Sequence, residues 1–449
     1  MKVLLVSGNR ESSPEPPFPL GCAYLASAMR EHGHEVACLD LLFEKDPGSA
    51  LEGAISDARP DVIGLGMRNL DLLTFPEVHS EVGSYAGYVE RIRSMTGAPV
   101  VLGGSGFSLA PREILAAVGG DVGIAGEGEV ALPALIAAIR LAGGKVPADM
   151  MGSVLGSPPG VDIDLIHPDY DSFDVARYYS EGSGGTVQTR RGCNLGCTYC
   201  TYPLLEGRRL RMRSPEGVAG EMALLRDRYG IEHVTIVDSV LNHPESHAMG
   251  VAAALARLDP QVRWTAYFHP AMRDPGFLGA MRESGCEGLD VGADSLSDPV
   301  LERMGKGVTA REVIAFSDAC RTAGLRFNLS LLFGAPGETP ATLEETIANV
   351  GRCDPDSMTA SIGVRLYPGA PICDDLVREG LVDASAVGIE TLYYLSEPVR
   401  DVLVERLEEA SRADKRWIIP GLGVNYNPRF FRRLRRHGRR GPIWHLVGE

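Results

Sequence analysis

The sequence predicts an α/β protein in which two parallel-sheet domains follow one another and a helical region comes last. Short apolar runs alternate with stretches of helical apolar spacing in residues 1–139, and a second such series begins at Thr186. Strands that are apolar throughout and separated by helices are typical of parallel sheets covered on both faces. The segment 143–185 between the two series is rich in glycine and proline, which predicts a linker.

The first domain, residues 1–142, is predicted to be doubly wound. We expect its strands at 3–7, 35–39, 61–67, 99–103 and 122–125, and its helices at 20–31, 51–58, 85–95, 111–118 and 130–140. Ligands of such sheets bind outside the carboxyl ends of the strands, so the residues that follow each strand are the informative ones.

Small residues follow three of these strands. The three turns read Gly66-Met67-Arg68-Asn69, Gly103-Gly104-Ser105-Gly106 and Gly126-Glu127-Gly128-Glu129, in a chain that holds 53 glycines in 449 residues. They predict either a slot where backbone contacts a large ligand or tight turns alone. No G-x-G-x-x-G follows the first strand, which disfavours NAD and FAD.

The second domain, residues 186–373, is predicted to be a complete or partial (β/α)6 barrel with its site at the carboxyl ends of the strands. We expect strands at 186–191, 233–238, 263–268, 288–293, 326–333 and 358–366, and helices at 215–228, 246–258, 272–283, 310–323 and 340–351. Residues 374–449 are expected to be helical. They end in a basic run, 429–440, which indicates a solvated helix or a site for a phosphate-rich ligand, a leader peptide or RNA.

Composition limits the classes of function. The net charge of −15 argues against nucleic-acid or anionic-membrane binding by the whole surface. The sequence has no signal-peptide core and no apolar run long enough to span a membrane, so we expect a cytoplasmic protein. In a reducing compartment its nine cysteines favour metal binding, catalysis or packing over disulfides.

Three of the cysteines form one local motif. Cys193, Cys197 and Cys200 are spaced Cys-x3-Cys-x2-Cys directly after the first strand of the second domain. A structural zinc site normally needs four ligands and a ferredoxin cluster needs a fourth cysteine, and neither is nearby. Three thiolates on one loop therefore predict a [4Fe-4S] cluster with one iron open to a small molecule.

This motif, with Tyr199 as its aromatic residue, resembles that of the radical S-adenosylmethionine superfamily. Residues 234–240, 332–339 and 367–371 resemble further segments of its barrel. The resemblance implies that S-adenosylmethionine binds the cluster and contacts residues on the strand ends, with Asp294 standing where glutamate is usual. The expected contact residues are Tyr199, Asp238, Ser239, Asp294, Ser295 and Asn328. The alternative for Asp238 is a cap on the following helix.

The first domain resembles the Rossmann-like cobalamin-binding domain that precedes the barrel in one branch of that superfamily. The likeness lies in residues 18–26 and in the glycine turns. It implies a cobalamin site formed by Met67, Arg68, Asn69, Gly103, Gly104, Ser105, Gly126, Glu127, Gly128 and Glu129. The segment 7–20 has no histidine to ligate cobalt, and the turn with Arg68 is similar to one in a subgroup that includes tryptophan methylases. We expect Arg68 near the lower face of the corrin, and the alternative is an arginine that bonds only its neighbours.

The implied function is a cobalamin-dependent radical S-adenosylmethionine methyltransferase. Such an enzyme moves a methyl group from S-adenosylmethionine, via methylcobalamin, to a poorly activated carbon of a small-molecule or peptide natural product. Arg68 and Tyr267, at a strand end, are the candidate catalytic residues, and Tyr267 could instead belong to the core. His243 and His269 also follow strands, in a turn-like context.

Alternatives remain open on the sequence alone. They are non-methylating chemistry with the same cofactors (ring formation, ring contraction or oxidation), an RNA-modifying methylthiotransferase, and a non-enzymatic iron-sulfur carrier. The expected partners are the substrate and an electron donor such as flavodoxin or ferredoxin, with no membrane and no nucleic acid.

Overall fold

A computed structural model describes residues 1–13, 15–75, 77–156, 161–436, 441–442 and 444. Two parallel sheets, each with helices packed against it, account for most of these residues, as the sequence predicts. Across the described residues, no helix combines the length and the apolar character needed to cross a membrane.

The first sheet has six parallel strands in the order β2-β1-β3-β6-β7-β8. Alternate residues of its strands enter two separate cores: Leu4 and Val6 pack on one side of the sheet, and Val3 and Leu5 on the other. Helices on both faces make this domain doubly wound. Its strands are β1 (Lys2–Ser7), β2 (Glu35–Asp40), β3 (Val62–Gly66), a short antiparallel hairpin of β4 (Asp71–Thr74) and β5 (Glu77–Ser80), then β6 (Val100–Gly103), β7 (Val122–Ala125) and β8 (Val154–Gly156). Its helices are α1 (Leu20–Glu31), α2 (Pro47–Ala58), α3 (Val82–Met95), α4 (Pro111–Val118) and α5 (Ala131–Leu141).

The second sheet has seven parallel strands in the order β19-β16-β15-β14-β13-β12-β9 and stays open between β19 and β9. Its strands are β9 (Gly185–Val187), β12 (His233–Ile236), β13 (Arg263–Phe268), β14 (Cys286–Asp294), β15 (Arg326–Phe333), β16 (Ser357–Ile362) and β19 (Trp417–Ile418). Two short antiparallel pairs accompany it, β10 (Arg190–Arg191) with β11 (Arg211–Met212), and β17 (Val364–Arg365) with β18 (Tyr393–Tyr394).

Several helices around the second sheet begin at residues that cap their first turn. Ser214 accepts the N–H of Gly217 and Pro215 follows it at the first helical position, whereas Thr309 and Glu312 form a capping box. The helices are α6 (Val175–Ser180), α7 (Tyr202–Leu205), α8 (Pro215–Tyr229), α9 (Glu245–Leu255), α10 (Phe277–Glu283), α11 (Asp298–Arg303), α12 (Ala310–Ala323), α13 (Pro340–Cys353), α14 (Pro371–Arg378), α15 (Leu403–Ala413) and α16 (Pro428–Arg436).

Several predicted elements differ in the structure. The single strand predicted at 186–191 is two pieces, β9 and β10, and the strand predicted at 358–366 breaks at Gly363, whose φ is 75°. The helix predicted from 272 begins at Phe277. Strand β8 and helix α6 lie in the predicted linker, of which residues 157–160 are outside the described residues.

The C-terminal region is not wholly helical. It contributes β18 and the seventh strand of the second sheet, β19. The basic run begins in α16, but Arg435 is 4% exposed and pairs with Glu15 at 3.4 Å, so a solvated helix does not describe that side chain. Residues 437–440 of the run lie outside the described residues.

The two domains share a continuous core. Phe18, which precedes α1, contacts the rings of Tyr170, Phe173 and Tyr178 with centroid distances of 5.3–5.9 Å. These rings pack in turn against the helices of the second sheet. The carboxyl ends of the first sheet are thereby held beside those of the second.

Candidate functional site

The cysteine motif occupies the loop between β10 and α7. Cys193 is buried, and Cys197 and Cys200 are half-buried. Burial raises the pKa of Cys197 and brings that of Cys200 to about 12, so both favour the thiol in the absence of a metal. Within the described residues, no three cysteine, histidine or acidic side chains converge on one point for a single metal ion. Three thiols on one loop fit the separate iron corners of a cluster.

A buried network fixes the start of this loop. Asp238 is 1% exposed and accepts hydrogen bonds from Thr189 N at 2.7 Å, from Thr189 Oγ1 at 2.5 Å and from Arg190 N at 3.2 Å. The Arg190 guanidinium donates to Ser239 Oγ at 3.2 Å and to the carbonyl of Gly192. Asp238 and Ser239, predicted to contact S-adenosylmethionine, therefore hold the polypeptide that leads into the cysteine motif.

Asp294 lies at a break in the register of β14, with φ of 62°. Its Oδ2 accepts the Tyr199 hydroxyl at 2.6 Å and pairs with Lys306 Nζ at 2.7 Å. Burial acts to lower the pKa of Lys306, but the Asp294 carboxylate, together with Cys197 and Cys200, raises that pKa overall. This group connects the aromatic residue of the motif to the end of β14.

Two other predicted contact residues have protein partners instead. Ser295 is buried, and its Oγ lies 3.0 Å from Thr346 Oγ1. Asn328 is deeper, near the start of β15, where its amide nitrogen donates to Asp290 Oδ1 at 3.0 Å. Ser295 directly follows the last residue of β14, whereas Asn328 lies near the start of its strand, away from the carboxyl end.

The candidate histidines also have protein partners. His243 Nε2 is 2.6 Å from Asn194 Oδ1, within the motif loop. His269 accepts the N–H of Ala271 on Nδ1, which leaves its Nε2–H to donate to the carbonyl of Lys306 at 3.0 Å. Burial lowers the pKa of His269 to about 4, so it is neutral and structural.

In the first domain, the turns after β3 and β6 are joined backbone to backbone. Met67 N donates to the carbonyl of Gly103 at 2.7 Å, and Gly106 N donates to the carbonyl of Met67 at 2.9 Å. Gly104 has φ of 101°, and a Cβ there would lie 2.5 Å from Met67 O. Ser105 Oγ donates to the carbonyl of Arg68 at 2.8 Å. Backbone approach explains this glycine, and the joined turns present Arg68.

The glycines of the turn after β7 lie close to other parts of the first domain. Gly126, with φ of 85°, donates its N–H to Ser108 Oγ at 2.9 Å. A Cβ on Gly128 would lie 2.9 Å from Leu25 Cδ2, so helix α1 comes close to this turn.

The two glutamates of that turn, predicted to bind cobalamin, have arginine partners in the barrel. Glu129 pairs with Arg191 at 2.7 Å, and Glu127 pairs with Arg191 at 3.5 Å and with both Nη atoms of Arg211. All four side chains are at most 13% exposed. The four side chains thus form an ion-pair cluster between the domains, and its Arg191 lies two residues before Cys193.

Arg68 follows β3 beside the point where the strand order of the first sheet reverses, between β1 and β3. Ligands of doubly wound sheets bind at this point. Its side chain is exposed, and Nη1 donates to Asn69 Oδ1 at 3.0 Å; among the described residues it has no ion pair. Surrounding protein nevertheless lowers its pKa through desolvation. Arg68 is thus reached by solvent although protein lies on several sides of it, and we call the space beside it the Arg68 cavity.

The other wall of this cavity belongs to the barrel. The hydroxyls of Tyr202 and Tyr267 are within electrostatic range of Arg68. Tyr202 lies two residues after Cys200, and Tyr267 lies near the end of β13 and is 48% exposed. Tyr267 therefore faces the cavity and is not a core residue. Tyr202 interacts with both Arg68 and Cys200, so the Arg68 turn and the cysteine loop lie on either side of this tyrosine.

Sequence reasoning missed several residues of the site. Lys306 and Asp290 were not singled out, although Lys306 follows a glycine and Asp290 interrupts an apolar strand. Asp71, two residues after Asn69, is buried and pairs with Arg365 at 2.6 Å, which anchors the Arg68 turn to the barrel. A charged residue inside an apolar run was the available signal for Asp290.

Comparison with known proteins gives the family. A model of the B12 binding domain matches residues 7–136, and a model of the Radical SAM superfamily matches residues 187–350. A methyltransferase of uncharacterized activity from Pyrococcus horikoshii is 28% identical over 405 residues, covering 85% of this chain and 84% of that protein. The tryptophan 2-C-methyltransferase of Streptomyces laurentii is 25% identical over 451 residues, covering 84% and 74%.

A solved structure extends the likeness to nearly the whole chain. The radical S-adenosylmethionine methyltransferase TsrM from Kitasatospora setae, with tryptophan and an analogue of S-adenosylmethionine bound, superposes with a TM-score of 0.85 at 25% identity and covers 99% of this chain and 97% of that one. With a B12-binding domain, a radical SAM domain and this fold, the chain belongs to the cobalamin-dependent radical S-adenosylmethionine enzymes.

Proposed function

We propose that this protein is a methyltransferase that moves a methyl group from S-adenosylmethionine to a small-molecule substrate. The acceptor is a poorly activated centre of that substrate, and a carbon atom is the first candidate. The observation that carries the proposal is the cavity shared by the Arg68 turn and the cysteine loop. Tyr202 lies within electrostatic range of both Cys200 and Arg68, so the two candidate cofactor sites face one another. The methyltransferases among the relatives support the same reaction class.

When bound, cobalamin supplies a metal centre that carries the methyl group, and the cluster supplies the electron and an open iron for S-adenosylmethionine. Cys193, Cys197 and Cys200 would hold the cluster, and the Asp238 network keeps their loop in place. Tyr199 and Asp294 would border the S-adenosylmethionine site. An electron donor such as flavodoxin or ferredoxin is expected, in the reducing cytoplasm.

Arg68 would face the lower side of cobalamin. The turn carries no imidazole, and a guanidinium has no lone pair to donate to a metal because it stays protonated. The Arg68 side chain also adds positive charge to that face. We infer that Arg68 keeps the lower face free of a protein ligand, whereas Met67, Asn69, Gly103, Gly104, Ser105, Gly126 and Gly128 border the cofactor mainly through backbone.

Anaerobic reconstitution tests the proposal. The chain is loaded with iron, sulfide and cobalamin, and the cluster and corrin absorption are recorded. S-adenosylhomocysteine and 5′-deoxyadenosine are then measured after S-adenosylmethionine is added. We expect both cofactors to bind and S-adenosylhomocysteine to form; if neither cobalamin binding nor consumption of S-adenosylmethionine occurs, the proposal is rejected.

A matched pair of variants tests the ligand assignment. Cys197→Ala removes a proposed iron ligand, whereas Cys286→Ala removes a buried thiol at the start of β14. We expect the first variant to lose the cluster and the second to keep it.

A further inference from the structure

The inner face of the second sheet is polar. On the four central strands, alternate residues such as Leu289, Val291 and Leu329 pack into the core beneath the helices. The residues between them face the other way, into the barrel, and most are polar or glycine, for example Thr265, Asp290, Asn328, Ser330, Ser357 and Thr359. The interior of a closed (β/α)8 barrel is filled mainly by bulky branched side chains, whereas the inner face of this open sheet offers hydrogen-bonding groups to a polar ligand.

The C-terminal segment closes the amino-terminal end of this interior. Trp444 is 7% exposed and lies against Gly288, where a Cβ would come within 2.6 Å of its ring. Ser357 Oγ donates to the carbonyl of Trp444 at 3.2 Å. Gly288 and Ser357 are near the starts of their strands, so the interior opens at the carboxyl ends, toward Arg68 and the cysteine loop.

Asp290 is the charged group on the inner face of these strands. It lies in register with Tyr267 on β13 and with Asn328 on β15. Its Oδ1 accepts the Ser330 hydroxyl at 2.6 Å and the Asn328 amide at 3.0 Å. Among the described residues, no arginine or lysine forms an ion pair with it. Burial raises its pKa, which the two hydrogen bonds offset in part.

Nearby groups make this part of the interior negative. Burial raises the pKa of Tyr267, and the charge of Asp290 adds to the rise. Glu15 forms an ion pair with Arg435 and is also within electrostatic range of Asp290. A half-buried carboxylate with two neutral donors and no cation among the described residues is only partly compensated, which carries a free-energy cost.

We propose that Asp290 binds a protonated amine of the substrate. This rests on the proposed function, since it names the chemical class that the same cavity accepts. The amine supplies a cation, which Asp290 lacks among the described residues, and the Asp290 carboxylate accepts its N–H. Tyr267 lies within electrostatic range of both Asp290 and Arg68. In this arrangement it borders the part of the substrate that lies between the substrate's amine and the proposed cobalamin site. The remainder of the substrate then extends toward the two cofactor sites.

Binding of matched amines and alcohols tests this assignment. The probes are phenethylamine, tryptamine and a series of n-alkylamines, each paired with the alcohol of the same skeleton. Dissociation constants are measured by calorimetry on the reconstituted enzyme and its Asp290→Asn variant. We expect at least one amine to bind the wild type and to bind Asp290→Asn at least about tenfold more weakly, because a charge-assisted hydrogen bond is lost. If no amine binds in an Asp290-dependent way, the proposal is overturned.

Controls separate this proposal from a structural role and from the proposed function. Asp401→Asn, at an exposed carboxylate, should leave amine binding unchanged. Asp290→Asn keeps the acceptor for Ser330 and Asn328 and removes a desolvated charge, so its unfolding midpoint should equal or exceed that of the wild type. A lower midpoint would indicate a structural carboxylate and count against the proposal. Corrin and cluster absorption and S-adenosylhomocysteine, measured in the same samples, report on the proposed function independently.

Discussion

The ion-pair cluster between the two domains can be tested at Arg191. Its Nη2 lies 2.7 Å from Glu129, and both side chains are under 8% exposed. With an effective dielectric constant of about 20, their attraction is about 6 kcal/mol before desolvation is counted. Arg191→Met removes this cation and also its contact with the Tyr24 ring, 4.9 Å away. Glu129 is then left as a buried carboxylate without its partner, which typically costs about 3–5 kcal/mol.

Calorimetric unfolding measures this effect. A loss of about 3–5 kcal/mol corresponds to a fall in the unfolding midpoint of about 6–20 °C for a domain of this size. In the double variant Arg191→Met/Glu129→Gln the stranded charge is gone, so we expect most of the loss to be recovered. Glu127 keeps its pairing with Arg211 in both variants.

An exposed pair provides the control. Arg257 and Glu216 lie 3.0 Å apart, but their side chains are 62% and 74% exposed. Arg257→Met should therefore cost no more than about 1 kcal/mol. The reasoning is refuted if Arg191→Met costs as little as this control, or if adding Glu129→Gln recovers none of the loss.

Three further predictions concern other parts of the site. Gly104→Ala should destabilise the first domain by about 1–3 kcal/mol and weaken cobalamin binding, because its Cβ would lie 2.5 Å from Met67 O at φ of 101°; urea unfolding and corrin titration check this. Asp238→Asn should lower iron retention on gel filtration, because an amide nitrogen cannot accept all the hydrogen bonds that hold the cysteine loop. Burial raises the pKa of Glu338 from 4.5 to about 7, so the folded state binds more protons between these values and stability falls as the pH rises through them. Glu338→Gln should remove that fall and be more stable than the wild type at pH 8 by at most about 3 kcal/mol, as measured by urea midpoints at pH 4.5 and 8.

Each of these has a contrary outcome. Gly83 lies in helix α3 with open space around its Cβ position, so Gly83→Ala should stabilise the chain; equal effects at Gly83 and Gly104 would contradict the steric argument. Asp227→Asn, at an exposed carboxylate, should retain iron, and equal loss at Asp238 and Asp227 would remove the positioning role. A Glu338→Gln variant with an unchanged pH profile would show that Glu338 ionises normally.

The parallel sheets and the cluster motif could be predicted because their signals are local. A short apolar run such as 3–7 is typical of a strand buried on both faces, and three cysteines within eight residues lie close together in any fold. The glycine turns could also be recognised from neighbouring residues, whereas the ion-pair partners of Glu127 and Glu129 could not. Their arginines come from strands more than 60 residues away, and no periodicity shows such a pairing.

Tertiary contacts decided the elements that differ from prediction. The strand predicted at 186–191 divides because Asp238 takes the backbone N–H groups of Thr189 and Arg190 that a longer strand would donate to its neighbour. Strand β19 is only Trp417–Ile418, too short for alternation to mark it. A run of arginines predicts side chains exposed to solvent. Arg435 is nevertheless buried and pairs with Glu15, a residue near the other end of the sequence.

The central claim is that one cavity joins a cobalamin site to a radical S-adenosylmethionine site, and label transfer tests it most directly. S-adenosylmethionine with a 13C-labelled methyl group is added to the anaerobic, reconstituted enzyme with reduced cobalamin, and the corrin fraction is analysed by mass spectrometry. The account predicts labelled methyl on the corrin together with one equivalent of S-adenosylhomocysteine. Enzyme that holds both cofactors but leaves the corrin unlabelled would contradict it.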